Sequence, residues 1–259
     1  MSILRIEGIY PEQRPQKVLA RQVVYSTFLR VLGHGPFHQG KHLVLLGGGG
    51  DVDLLHDLGV RDIVAVDSNP DVIQAVAPRY AKTGCVIYDQ DIREVLSILP
   101  RVSTVNLDLC GTLNRQNIEL VQTVISHLRP GAAFAVTLFA SRERTAEALE
   151  QVARARPIVA KQIRGQEAAI NPLSRAVAAF RMLRAPGIHA LRFVSYQSHG
   201  SSVLGRQVCS PMAIFLGVIK TNKTFPFSRF VPIDLLSRKE TEEEIRPLIV
   251  HQHLNQRSQ

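Results

Sequence analysis

Residues 44 to 53 read V-L-L-G-G-G-G-D-V-D, an apolar run that ends in four consecutive glycines, Gly47 to Gly50, before D-V-D-L-L-H-D-L-G begins. The apolar run predicts a buried strand and the stretch from Asp51 predicts a helix, so the glycines form a strand-to-helix turn. One glycine suffices to turn the chain there. Four leave the backbone bare, and a helix N-terminus adds unpaired N–H groups and the positive end of a dipole. A turn of this kind lets a ligand lie directly against main chain.

The same alternation continues on both sides of the turn. From His42 the apolar runs are H-L-V-L-L, D-I-V-A-V-D, C-V-I-Y-D, T-V-N-L-D-L and A-F-A-V-T-L-F, separated by intervals of helix length. Runs that are apolar on both faces predict parallel strands covered on two sides, and hence a doubly wound, Rossmann-like α/β sheet. Two later runs, A-L-R-F-V-S-Y and M-A-I-F-L-G-V-I, are joined by a short polar link. They predict an antiparallel hairpin at the sheet edge.

Ahead of the sheet, Pro15 opens a helical pattern with Ala20, Val24, Phe28 and Val31 on one stripe, and Gly33 stands where it would end. Gly33 to Lys41 reads as a turn-rich connector. The chain thus divides into an N-terminal helical extension (1–40), a sheet domain (41–220) and a C-terminal loop and helix (221–259). Ser237 and Glu240 have capping-box spacing at the start of that helix.

Composition bounds the function. With 259 residues, 45% hydrophobic and 20% charged, the chain has the balance of a globular protein able to bury a substantial core. Its longest apolar stretches fall well short of the ~20 residues of a membrane span, and no secretory pattern opens it, so a soluble, cytoplasmic protein is expected. Cys85, Cys110 and Cys209 are too few and too scattered for a disulfide framework or a zinc cluster, and the histidines show no metal-ligand spacing. No metal is expected. Net charge is +9, and between Arg101 and Arg192 there are 13 Arg or Lys against 6 Asp or Glu. The helical segment 142–185 holds most of this excess. It is the candidate surface for a polyanion such as nucleic acid, with a solvated helix face as the plainer alternative.

Four further groups complete the candidate site. Asp67 closes the second strand 19 positions after Gly48, where an α/β nucleotide fold places an acid on ribose hydroxyls. Ser68 and Asp71 have capping-box spacing behind it. Asp91 with Ile92, after the third strand, suits an adenine amino group and ring, with Asp89 as competitor. On the fourth strand Asn106, Asp108 and Cys110 alternate, which puts them on one side if the strand continues that far.

With these residues the sequence resembles the class I S-adenosylmethionine-dependent methyltransferases. L-L-G-G-G-G-D stands at that family's glycine-rich motif, V-A-V-D-S at its ribose acid, D-Q-D-I at its adenine contact, and N-L-D-L-C-G after its fourth strand. The likeness covers roughly His42 to Ala140, and through the hairpin about as far as Lys220. It implies S-adenosylmethionine as cofactor, bound by Gly47, Gly48, Gly49, Gly50, Asp67, Ser68, Asp91, Ile92 and Asp108. It also implies chemistry beside Asp108 and Cys110, with Asp108 taking the methionine amine or orienting a substrate nitrogen.

Leu46 departs from the acid that the family often has before its glycines, and Val52 from its third glycine. G-G-G-D is similar to the motif of polyamine synthases, so an aminopropyl transferase is the rival enzyme. D-L-C-G-T only loosely resembles the D-x-P-C-S-G of RNA cytosine methyltransferases, so Cys110 reads as a nucleophile or as a small packed thiol. The expectation is a methyltransferase with a nucleic-acid acceptor slightly ahead of a small molecule. A noncatalytic cofactor- or nucleic-acid-binding protein of the same fold is the third possibility.

Overall fold

Leu43 and Val44 belong to different hydrophobic clusters, as do Val64 and Ala65, and Phe134 and Ala135. Successive residues of a strand point to opposite faces, so these pairs place apolar layers on both sides of one sheet. The computed structural model describes residues 15–99, 101–112, 115–139, 187–203, 206–221, 229–232, 239–240 and 242–248. The basic segment 142–185, Ser237 and the tail histidines lie outside the described residues.

The chain begins with α1 (Pro15–Leu32) and α2 (His34–His38), then alternates β1 (His42–Leu45), α3 (Gly50–Asp57), β2 (Ile63–Val66) and α4 (Pro70–Val76). A 3₁₀ turn (Ala77–Tyr80) leads to β3 (Val86–Tyr88), α5 (Ile92–Ile98), β4 (Thr104–Thr112), α6 (Arg115–Ser126) and β5 (Ala133–Phe139). The long hairpin strands β6 (Ile188–Val203) and β7 (Arg206–Ile219), the short β8 (Arg229–Pro232) and a helix α7 over residues 242–248 complete it. The strands form one eight-stranded sheet in the order β3-β2-β1-β4-β5-β7-β6-β8.

β1 to β5 are parallel, while β7 runs antiparallel to both β5 and β6. The sheet is therefore the expected mostly parallel, doubly wound one with an antiparallel pair late in the chain. The order in which strands are added to the sheet reverses between β1 and β4, because β1 is followed by β2 on one side while β4 lies on the other. This switch point opens a crevice at the carboxyl ends of the strands.

The structure corrects three expectations. The hairpin is not the sheet edge, since β8 pairs parallel to β6 where a loop was expected. The connector after Gly33 contains α2, whose Phe37 is fully buried and so holds a helical turn against the core. Ser68 does not cap α4: Asn69 does, its side chain accepting from the Asp71 N–H at 3.0 Å.

α1 ends as expected at Gly33, whose N–H donates to Leu29 O and whose φ of +79° suits a residue without Cβ. The helix is no loose appendage. Val23, Val24, Tyr25, Phe28 and Leu29 are at most 2% exposed and share a cluster with Val194, Tyr196 and Ile214 of the hairpin. Fully burying side chains of this size contributes about 1.5–3 kcal/mol each, so α1 is part of the core. Among the described residues no helix is long and apolar enough to cross a membrane.

Candidate functional site

At the switch point a cleft of about 260 Å³ lies between the ends of β1, β2, β3 and β4. Its polar rim includes Gly47, Asp67, Ser68, Gln90, Asp91 and Asp108, and its apolar wall includes Val66, Ile92, Leu109 and Leu120. A flat ring can pack on the apolar wall while hydroxyls and amines meet the rim.

Asp67 has two duties already. One carboxylate oxygen accepts from the Gly47 N–H at 3.1 Å, tying the glycine turn to β2, and the other accepts from the Asn69 N–H at 2.9 Å. Each oxygen has a second lone pair, so the carboxylate keeps capacity for ribose hydroxyls. Asp91 caps α5 by accepting from the Arg93 N–H and also pairs with the Arg93 guanidinium. Hydrogen bonding from Arg93 outweighs desolvation and holds its carboxyl below the usual range.

The glycine turn is gripped from behind. Arg79 donates to Gly48 O and to Asp53, both at 2.9 Å. The Tyr80 hydroxyl lies 2.9 Å from Gly49 O and 2.7 Å from an Asp53 oxygen. Gly49 is in the left-handed region with φ +89°, and a Cβ there would come within 2.1 Å of the Tyr80 hydroxyl. Glycine is required by conformation and by close approach together.

Where the cleft passes the end of β4 it meets four charges. Lys17 of α1 reaches Asp108 at 2.9 Å, and Arg21, one turn on, reaches Asp51 at 3.2 Å. Asn106 donates to the other Asp51 oxygen at 2.8 Å. Asp51 and Asp108 each line both the cleft and a small void of about 20 Å³ beneath α1. Burial opposes ionisation of Asp108, but the Lys17 ammonium, with Arg21 behind it, keeps its carboxyl below the ordinary range. Tyr25 lies beside this group; burial first, then the Asp51 charge, raises its hydroxyl pKa well above normal. The Asn106 side-chain oxygen is buried without a hydrogen-bond donor among the described residues.

No protein-family model matches the chain, and no curated protein sequence does. Among solved structures it is similar to human methyltransferase-like protein 13 in complex with SAH, at 13% identity, covering 90% of this chain and 92% of that one with a TM-score of 0.51. It is also similar to the type IIG restriction endonuclease BpuSI, at 12% identity and TM-score 0.56, covering 92% of this chain. The chain spans only 29% of that endonuclease's length. The chain shares the Rossmann-like fold of that methyltransferase-like protein.

On this methyltransferase fold, the sequence-derived residues Gly47, Asp67, Ser68, Asp91, Ile92 and Asp108 converge on one cleft. The other glycines do different work. Gly48 and Gly49 turn their carbonyls to Arg79 and Tyr80, and Gly50 opens α3. Cys110 lies on β4, which shifts register between Asp108 and Thr112, and its side chain is outside the described residues. Asp89 is absent from the cleft wall, whereas Gln90, which sequence reasoning passed over, is on it.

Sequence reasoning also missed Lys17, Arg21 and Asp51. Lys17 and Arg21 are four apart on α1, a spacing that puts both on one face beside the apolar stripe, and this was the available signal. Asp51, directly after the glycines, is nearly buried at the start of α3, where the helix dipole favours an anion.

Proposed function

We propose that the chain is an S-adenosylmethionine-dependent methyltransferase. The observation that carries this reading is the junction of the cleft with two acids and two cations. An adenosyl group needs an apolar wall and a ribose acceptor, which Val66, Ile92, Leu109 and Asp67 supply. A methionine end adds an ammonium and a carboxylate. Asp51 and Asp108 suit the first; Arg21 and Lys17 suit the second.

When bound, S-adenosylmethionine supplies an electrophilic methyl whose C–S bond breaks as the acceptor's lone pair attacks in line. The protein's contribution is position and water exclusion. Asp108, held ionised by Lys17, suits accepting a hydrogen bond from an amine and is a weak base at neutral pH. The Cys110 nucleophile remains the more specialised version of the same reading. For the acceptor we favour nucleic acid, supported by the net charge of +9 and by the arginines of 142–185 directly after β5.

Calorimetry with S-adenosylmethionine, S-adenosylhomocysteine and the decarboxylated cofactor tests the proposal. The two carboxylated ligands should bind about tenfold more tightly, since the decarboxylated one lacks the charge-assisted hydrogen bonds that a carboxylate makes to Lys17 or Arg21. The opposite ranking supports aminopropyl transfer, which the G-G-G-D motif favours. Binding of none removes both enzyme readings and leaves a noncatalytic protein. Titration of RNA and DNA against salt tests the acceptor: phosphate contacts weaken steeply as salt rises, and no binding at low salt points to a small acceptor.

A further inference from the structure

α1 carries both cations of the site, and its seat is set from the far end of the chain. The Ser26 hydroxyl, fully buried, donates to the main-chain oxygen of Glu244 in α7 at 2.6 Å. The Glu244 carboxylate pairs with the Arg192 guanidinium of β6, and these side chains are only 6% and 10% exposed. Arg192, Val194 and Tyr196 stand at alternate positions of β6, apart from the register shift just before Arg192. Tyr196 lines the small void together with Lys17 and Arg21. Leu248, one turn beyond Glu244, is buried in the same cluster as Val24 and Phe28.

A buried ion pair is weak evidence for stability, because desolvation offsets much of the attraction; its best-attested use is to fix register. Here one element of the pair is clamped to α1 by Ser26. Arg21 lies five residues from Ser26 and Lys17 nine, roughly 7 and 13 Å along the helix at ~1.5 Å per residue. An axial slip or tilt of α1 at Ser26 therefore moves both cations relative to Asp51 and Asp108.

We propose that Arg192, Glu244 and Ser26 are positioning residues: docking of α7 sets α1, and through it places Lys17 and Arg21 to bind the amino-acid end of the ligand. The proposal rests on the methyltransferase reading for its ligand, but not for its mechanics. A purely structural role would weaken every ligand alike; a positioning role weakens only those with an amino-acid end.

The test uses the full chain with Ser26→Ala and, separately, Glu244→Gln. Hydrogen exchange of α1 is followed without ligand, and S-adenosylhomocysteine and adenosine are titrated. Loss of one buried hydrogen bond should raise exchange over residues 17–25 and the dissociation constant for S-adenosylhomocysteine each by about tenfold, leaving adenosine within about twofold. Unchanged protection of α1, or equal weakening of both ligands, overturns the proposal. If Glu244→Gln does not fold, Ser26→Ala still decides, because it leaves the ion pair intact. If the unaltered protein binds neither ligand, the methyltransferase reading fails, and the exchange of α1 alone decides whether α7 sets the helix.

Discussion

Gly49→Ala and Tyr80→Phe should be far less damaging together than their separate effects imply. An alanine at position 49 must adopt φ near +89°, which costs about 1 kcal/mol for a residue with Cβ. Its Cβ would also sit 2.1 Å from the Tyr80 hydroxyl, so the ring must withdraw and give up its bond to Gly49 O or Asp53. A hydrogen bond involving a charged group contributes about 1.5–3 kcal/mol, which brings the single variant to about 3 kcal/mol.

Tyr80→Phe alone loses the bond but no packing, about 1.5 kcal/mol. In the double variant the offending oxygen is gone and the nearest ring carbon is 3.0 Å away, tight but adjustable. Strain plus one lost bond then amount to roughly 2.5 kcal/mol, against roughly 4.5 for the sum of the singles. Urea unfolding of the four proteins measures the difference. Additivity within about 0.5 kcal/mol would show that hydroxyl and glycine do not meet and would refute the proposed grip on the turn.

Two further outcomes follow from the same geometry. Asp67→Ala removes the proposed ribose acceptor and the anchor of Gly47, and should weaken S-adenosylmethionine binding by about 1–3 kcal/mol in calorimetry; unchanged affinity would refute the ribose assignment. His42 is fully buried between Phe37 O and the Thr104 hydroxyl, both at 2.7 Å, and burial lowers its pKa to about 4. Between pH 6.5 and 4 the unfolded chain therefore holds the extra proton, so stability falls as pH falls, by about 3 kcal/mol in all. Unfolding midpoints across that range check the slope, and a His42 ring that titrates above pH 6 by NMR would contradict it.

The sheet and the part of the cleft formed by Gly47, Asp67 and Asp91 were legible because they depend on short-range pattern. Double-sided apolar runs such as I-V-A-V can only be buried strands, glycines after one and an acid after the next mark the crossovers, and both signals lie within about 20 residues of each other. Helix ends were less legible: Ser68 and Asn69 are both competent caps, and the carboxylate of Asp67 decides between them by taking the Asn69 N–H while the Asn69 side chain takes that of Asp71.

The charged end of the cleft depended on tertiary structure. Lys17 and Asp108 are far apart in sequence, as are Ser26 and Glu244, and no local spacing reports that α1 crosses the end of β4 or that α7 returns to hold it. β8 escaped for a similar reason, since four residues pair only because β6 offers an open edge. Sequence alone thus determined the sheet and its glycine turn through periodicity and backbone chemistry. Only the packing of α1 on the hairpin decided which charges face the cleft, because a buried ion pair is made by whatever three-dimensional folding brings together.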